Sequence, residues 1–137
     1  YILSCWDIKE AIPVLASQIK NKYSGKTTFE QTQACLEMIV CMGRLAEKHD
    51  DAYNYLKKYL AFSYWDDIRW RASFGNLFTV KSLLVTYSVL ATNYTKRTDI
   101  IKTLEELKKK EEYQKNDELK WRIENAISNL KKKTKRK

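Results

Sequence analysis

The amino-acid sequence predicts an all-α fold, an α-solenoid of about three antiparallel helical hairpins. Three observations carry this expectation. Apolar residues recur at helical spacing along nearly the whole chain. Three glycines and one proline among 137 residues leave too few breakers for a sandwich or barrel of many short strands. A six-residue segment also recurs, Asp66-Asp67-Ile68-Arg69-Trp70-Arg71 returning as Asp117-Glu118-Leu119-Lys120-Trp121-Arg122.

Six helical segments follow in pairs. The first spans about Asp7 to Tyr23, where Ile8, Ala11, Ile12, Leu15, Ala16 and Ile19 form one apolar stripe, and it ends at Ser24-Gly25. The second opens at Thr27-Thr28, with Thr28 and Gln31 as a capping box, and buries Cys35, Leu36, Ile39, Val40 and Gly43. It closes at His49-Asp50, where the single histidine reads as a capping or loop residue. The third, Asp51 to Phe62, places Ala52, Tyr55, Leu56, Tyr59 and Leu60 on one face, and a short turn follows from Ser63 to Asp66.

The fourth segment starts at Asp66 or Asp67 as N-cap and runs to about Asn93, as one helix or as two broken at Gly75 or Asn76. It is apolar on both faces. The fifth, Thr98 to Gln114, buries Ile100, Ile101, Leu104 and Leu107. Its solvated face offers Glu105/Lys109, Glu106/Lys110 and Glu111/Lys115 as ion pairs four residues apart. The sixth, Asp117 to Leu130, buries Leu119, Ile123, Ala126, Ile127 and Leu130, and turns Trp121 to the opposite side with Asn125 and Ser128.

Charge is distributed unevenly. Residues 1–95 carry 11 basic and 9 acidic groups, whereas residues 96–137 carry 15 and 8. Six of the surplus charges belong to Lys131, Lys132, Lys133, Lys135, Arg136 and Lys137. The chain therefore divides into a helical-repeat domain over residues 1–131 and a basic tail, read as disordered, over 132–137. Such a tail can contact phosphates or stay solvated.

Several function classes fall away. Cys5, Cys35 and Cys41 form an odd set without CxxC spacing, which argues against a disulfide framework or zinc site; they read as reduced core residues of a cytoplasmic protein. Phe78 to Tyr94, the most apolar stretch, is interrupted by Lys81, Thr86 and Ser88, so no membrane span is expected. Asn93-Tyr94-Thr95 matches a glycosylation sequon, a motif short enough to recur by chance. Metal motifs, phosphate loops and nucleophile elbows are missing, so neither an enzyme nor a cofactor is expected. The chain starts at Tyr1 without methionine, as a fragment or processed product would.

With these residues in view, the chain resembles the HEAT-repeat family. In that family the second helix of each repeat follows Asp, any residue, Val, Arg, two of any kind, Ala, two more, Ala, Leu. Asp66, Ile68, Arg69, Ala72 and Gly75 fit this pattern, with Asn76 in place of the last apolar residue. Asp117, Leu119, Lys120, Ile123, Ala126 and Ile127 fit better, and Glu30, Thr32, Gln33, Leu36, Ile39 and Val40 make a degenerate third copy. Pro13, within Glu10 to Leu15, resembles the family's proline-bearing first helix. The resemblance covers about residues 7–131.

It implies a fold and a surface rather than a named activity. Second helices of HEAT-like arrays line the concave side, so the resemblance points to Trp70, Arg71, Phe74, Trp121 and Arg122 as an aromatic and basic surface. The expected function is a scaffold or adaptor binding a protein or peptide. The alternative is a nucleic-acid binder that uses the Trp-Arg positions for stacking and the tail for phosphate contact. The competing reading packs both tryptophans between repeats.

Overall fold

A computed structural model describes residues 9–21, 25–27, 29–65, 70–72 and 77–135, with side chains described outside 20–32, 66–80 and 134–137. Helix α1, Ala11–Asn21, buries Ala11, Ile12, Leu15 and Ile19, the stripe expected from their spacing. Helix α2, Phe29–Leu45, buries Cys35, Leu36, Ile39, Met42 and Leu45; Cys35 and Cys41 are both buried and free. Helix α3, Asp50–Tyr59, opens on two aspartates at the positive end of the helix dipole and closes on Lys57 and Lys58 at the negative end. His49 is its N-cap residue, extended at φ −121°, and its backbone N–H also donates to the Leu45 carbonyl at 3.0 Å, so it closes α2 as expected and opens α3 as well.

A 3₁₀ turn, Phe62–Trp65, follows α3. Its Trp65 is fully buried, and the indole Nε1 donates to the Tyr59 carbonyl at 2.9 Å. Where a helix from Asp66 or Asp67 is expected, residues 70–72 are extended instead. Trp70–Ala72 is an extended segment, β2, paired in parallel with β1, Gly25–Thr27, in the register Gly25↔Trp70, Lys26↔Arg71 and Thr27↔Ala72. Backbone groups in these two connections bond to each other across the ladder instead of within a helix turn. Asp66, Asp67, Ile68, Arg69, Phe74, Gly75 and Asn76 lie outside the described residues.

Helix α4, Leu77–Ala91, packs on α2 and α3. It also packs on α7, Asp117–Lys135. Covered on more than one side, α4 has no fully polar face, which accounts for its apolar sequence. Within α4 the buried Ser88 Oγ donates to the Leu84 carbonyl at 2.7 Å, and Thr92 Oγ1, in the turn that follows, donates to the Val89 carbonyl at 2.6 Å. Gly43 of α2 lies against Ala91 of α4 so closely that a Cβ there would sit 2.5 Å from the Ala91 carbonyl oxygen.

The expected fifth helix is two. Helix α5, Ile100–Lys108, buries Ile100, Leu104 and Leu107; helix α6, Glu111–Gln114, starts again after Lys109-Lys110 and buries Tyr113. The break lets the Tyr113 hydroxyl donate to the Leu60 carbonyl at 2.6 Å while its ring meets Phe62 edge-on at 5.1 Å. Only one of the three expected surface pairs on this segment forms as written, Glu111 with Lys115 at 2.7 Å; Glu105 instead reaches Lys131 of α7 at 3.5 Å. Helix α7 buries Leu119, Ile123, Ala126, Ile127 and Leu130 against α4, α5 and α6. It continues to Lys135, past the boundary drawn at residue 131.

Among the described residues the architecture is therefore all-helical in class, with one three-residue parallel ladder as its only sheet. No described helix is long and apolar enough to cross a membrane.

Candidate functional site

The outward face of α7 carries the residues of greatest interest. Trp121, Asn125, Ser128 and Lys132 recur at intervals of four, three and four residues, and all four are exposed. Such spacing keeps them on one side of the helix. Trp121 retains 53% of its surface, against 0% for Trp65. The Arg122 guanidinium lies 4.8 Å from the Trp121 ring centroid, and its Nε donates to Glu118 Oε1 at 3.0 Å. Glu118 thus fixes the arginine over the indole while leaving the rest of the fork open.

At the other end of the same helix lies a polar cleft of about 260 Å³ lined by Asn93, Asn129, Lys132 and Lys133. Asn129 Nδ2 donates to Asn93 Oδ1 at 3.4 Å, and Lys133 Nζ donates to the carbonyls of Asn93 and Thr95. Lys133 therefore ties the end of α7 to the turn after α4. Lys132, one residue earlier, is exposed and makes no hydrogen bond or ion pair among the described residues.

The turn that carries Asn93 is held from the opposite side. Glu47 Oε2 accepts from the Thr95 hydroxyl at 3.1 Å and from the Lys96 backbone N–H. Arg97 Nη1 pairs with Asp50 Oδ1 at 2.6 Å, and its guanidinium lies 4.7 Å from the Tyr53 ring centroid. Lys57 occupies a second position 4.7 Å from the same ring. Burial first, and the Asp99 carboxylate second, raise the Tyr53 phenol above its ordinary pKa. Tyr94 next to Asn93 is 46% exposed, with the Arg44 guanidinium 4.9 Å from its ring centroid. The cleft wall is thus a turn anchored to α2 and α3, not a free loop.

A second cleft of about 260 Å³ opens between α1 and α3, lined by Ile12, Pro13, Asp51, Asn54, Tyr55 and Lys58. It mixes both charge signs with an aromatic ring and shows no convergence of donors. No group of three or more metal-ligating side chains occurs among the described residues.

The sequence-derived site divides accordingly. Trp121 and Arg122 stand together on an exposed face. Trp70 and Arg71 belong to the extended segment β2, so their backbone differs from that of the matched pair in α7; their side chains, and all of Phe74, lie outside the described residues. Of the basic tail, Lys131 pairs with Glu105 and Lys133 binds the 93–95 turn. Lys135 ends α7 with its side chain outside the described residues, as are Arg136 and Lys137 altogether. Sequence reasoning missed Asn93, Asn129, Tyr94 and Arg44. Asn129 sits three and four residues before Lys132 and Lys133, a spacing that already places it beside them. Asn93, at the end of the fourth segment and in a sequon, carries no sequence signal that pairs it with them.

The chain matches no protein-family model, no curated protein and no solved structure.

Proposed function

We propose that this protein is a non-catalytic helical-repeat scaffold of HEAT-like architecture that binds a protein or peptide partner along the exposed face of α7. The observation that carries the binding assignment is Trp121, a large aromatic held 53% exposed with an arginine stacked on it. Tryptophan and arginine are the side chains most enriched among residues that dominate binding energy. An indole is ordinarily enclosed in the core, as that of Trp65 is.

The solenoid reading rests on how the pairs meet. The second helices α2, α4 and α7 touch in sequence order, α2 on α4 and α4 on α7. The connections within the first two pairs, β1 and β2, lie side by side and run parallel, the relation that two units stacked by translation produce. Gly43 against Ala91 allows the close approach of the first two second helices.

The test is Trp121→Ala. Thermal stability should change little, because about half of the side chain already lies in water, while the affinity for a partner captured from the native source should fall by about 2 kcal/mol or more. A loss of about 3 to 5 kcal/mol in folding stability would instead mark the tryptophan as a packing residue.

A further inference from the structure

We propose that the cleft between Asn93, Asn129, Lys132 and Lys133 is a phosphate-binding site that takes a phosphorylated serine or threonine of the docked partner segment. The inference rests on the docking assignment to α7 for its partner, but its chemistry comes from the cleft alone. Four nitrogen-bearing side chains line it with no carboxylate among them, and Glu47, on the adjoining turn, is engaged by the Thr95 hydroxyl and the Lys96 N–H. Lys132 makes no hydrogen bond or ion pair among the described residues. The described partners of Lys133 Nζ are the carbonyls of Asn93 and Thr95, not a carboxylate. Asn129 has spent one amide hydrogen on Asn93, which leaves the second for a ligand.

Charge matching selects the ligand. Two ammonium groups face the cleft, and a phosphate monoester brings a charge of about −1.5 to −2 with three strong acceptor oxygens. A carboxylate or a nucleic-acid phosphodiester brings one negative charge per group, which leaves one ammonium uncompensated. The acidic residues along α7 do not compete. Asp117 and Glu118 lie in the first turn, at the far end from the cleft, Glu118 is paired with Arg122 and Glu124 with Lys108 at 3.2 Å, and no acidic residue follows Glu124 in the helix.

Distance sets the spacing of the recognised segment. Trp121 and Lys132 share the exposed stripe of α7 and stand eleven residues apart in sequence, roughly 16 Å along the axis. An extended chain advances about 3.3 Å per residue, so this span corresponds to about five residues. The partner segment therefore presents an apolar side chain to Trp121 and, about five residues away, a phosphate to the cleft.

The experiment uses the full chain and a labelled synthetic peptide with leucine and phosphoserine five residues apart, compared with its unphosphorylated form by fluorescence anisotropy. The phosphopeptide should bind about ten-fold more tightly, as one or two charge-assisted hydrogen bonds would give. Lys132→Ala should remove that increment without lowering Tm, since the side chain is exposed and unpaired. Inorganic phosphate is the second probe. It should shift the side-chain amide resonances of Asn93 and Asn129 in nitrogen-edited NMR spectra of the wild-type chain and not of the Lys132→Ala variant.

Equal affinity for the two peptides together with unmoved Asn93 and Asn129 amides overturns the site; if Trp121→Ala still weakens both peptides, the docking assignment stands without it. A phosphate increment that survives in a chain whose binding ignores Trp121→Ala overturns the docking assignment and the five-residue spacing, and keeps the phosphate site. A single-stranded oligonucleotide that binds more tightly than the phosphopeptide, with the same dependence on Lys132, overturns the choice of a protein partner.

Discussion

Tyr59 and Tyr113 are both buried phenols, yet their hydroxyls stand in opposite circumstances. Tyr113 donates to the Leu60 carbonyl at 2.6 Å, whereas the Tyr59 hydroxyl has no partner among the described residues. The Tyr59 ring is kept by its packing, 5.3 Å from the Trp65 centroid and 5.5 Å from that of Tyr64. Removing each oxygen should therefore change stability in opposite directions. Tyr113→Phe should cost about 1 kcal/mol, the usual net worth of a buried hydrogen bond, because it also leaves the Leu60 carbonyl short of a donor. Tyr59→Phe should raise stability by about 1 kcal/mol, since it deletes a desolvated donor and retains the ring. Urea denaturation of both variants beside the wild type checks the pair. Equal losses would mean that the Tyr59 hydroxyl has a partner, such as an enclosed water.

At the scale of elements, the crossing of α2 over α4 gives a substitution whose sign is informative. In a solvated helix Gly→Ala stabilises by about 1 kcal/mol. At Gly43 the added Cβ would meet the Ala91 Cβ at 2.7 Å and the carbonyl oxygen at 2.5 Å, so the two helices must separate. Gly43→Ala should lower stability by about 1 to 3 kcal/mol, as overpacking does, measurable as a drop in Tm. Helix locations and buried faces were legible in the sequence because 3.6-residue periodicity and burial are the same fact seen twice. Ile12, Leu15 and Ile19 in α1, and Leu119, Ile123, Ala126 and Leu130 in α7, are all buried as spaced. The segment around Trp70 was not legible in this way. Ile68, Ala72 and Gly75 fit a helical stripe, but the partner that holds Trp70–Ala72 extended is the distant Gly25–Thr27, which no local pattern contains. The cleft was half legible for a related reason. Lys132, Lys133 and Asn129 lie within one helical turn, while Asn93 arrives from another pair through a turn that Glu47 and Asp50 hold in place.

For the whole molecule, buried ionisable groups set how the fold responds to alkali. Burial raises the Cys35 thiol from 9.0 to about 12, and burial also leads in raising the Tyr113 phenol from 10.0 to about 12; Tyr59 is shifted in the same direction, chiefly by burial. All three are neutral when protonated, and the folded state favours that form. A folded pKa above the unfolded value means that the folded chain holds more protons between the two. The stability associated with these groups is thus fully present below the unfolded values, about pH 9, and is lost as pH rises towards 12. Each group adds about 1.4 kcal/mol per pH unit to the downward slope while its unfolded form is ionised and its folded form is not. The groups are separated by substitution: Tyr59→Phe should flatten the fall in stability between about pH 10 and 12 by one group's share, and a change of an exposed residue such as Lys132→Ala should not. Denaturant titrations at a series of pH values give the slopes directly. A stability that stays level from pH 9 to 11 in the wild type, or a slope untouched by Tyr59→Phe, would show that these side chains reach water in the folded chain, and would remove the enclosed aromatic cluster around Tyr59 and Trp65 from this account of the core.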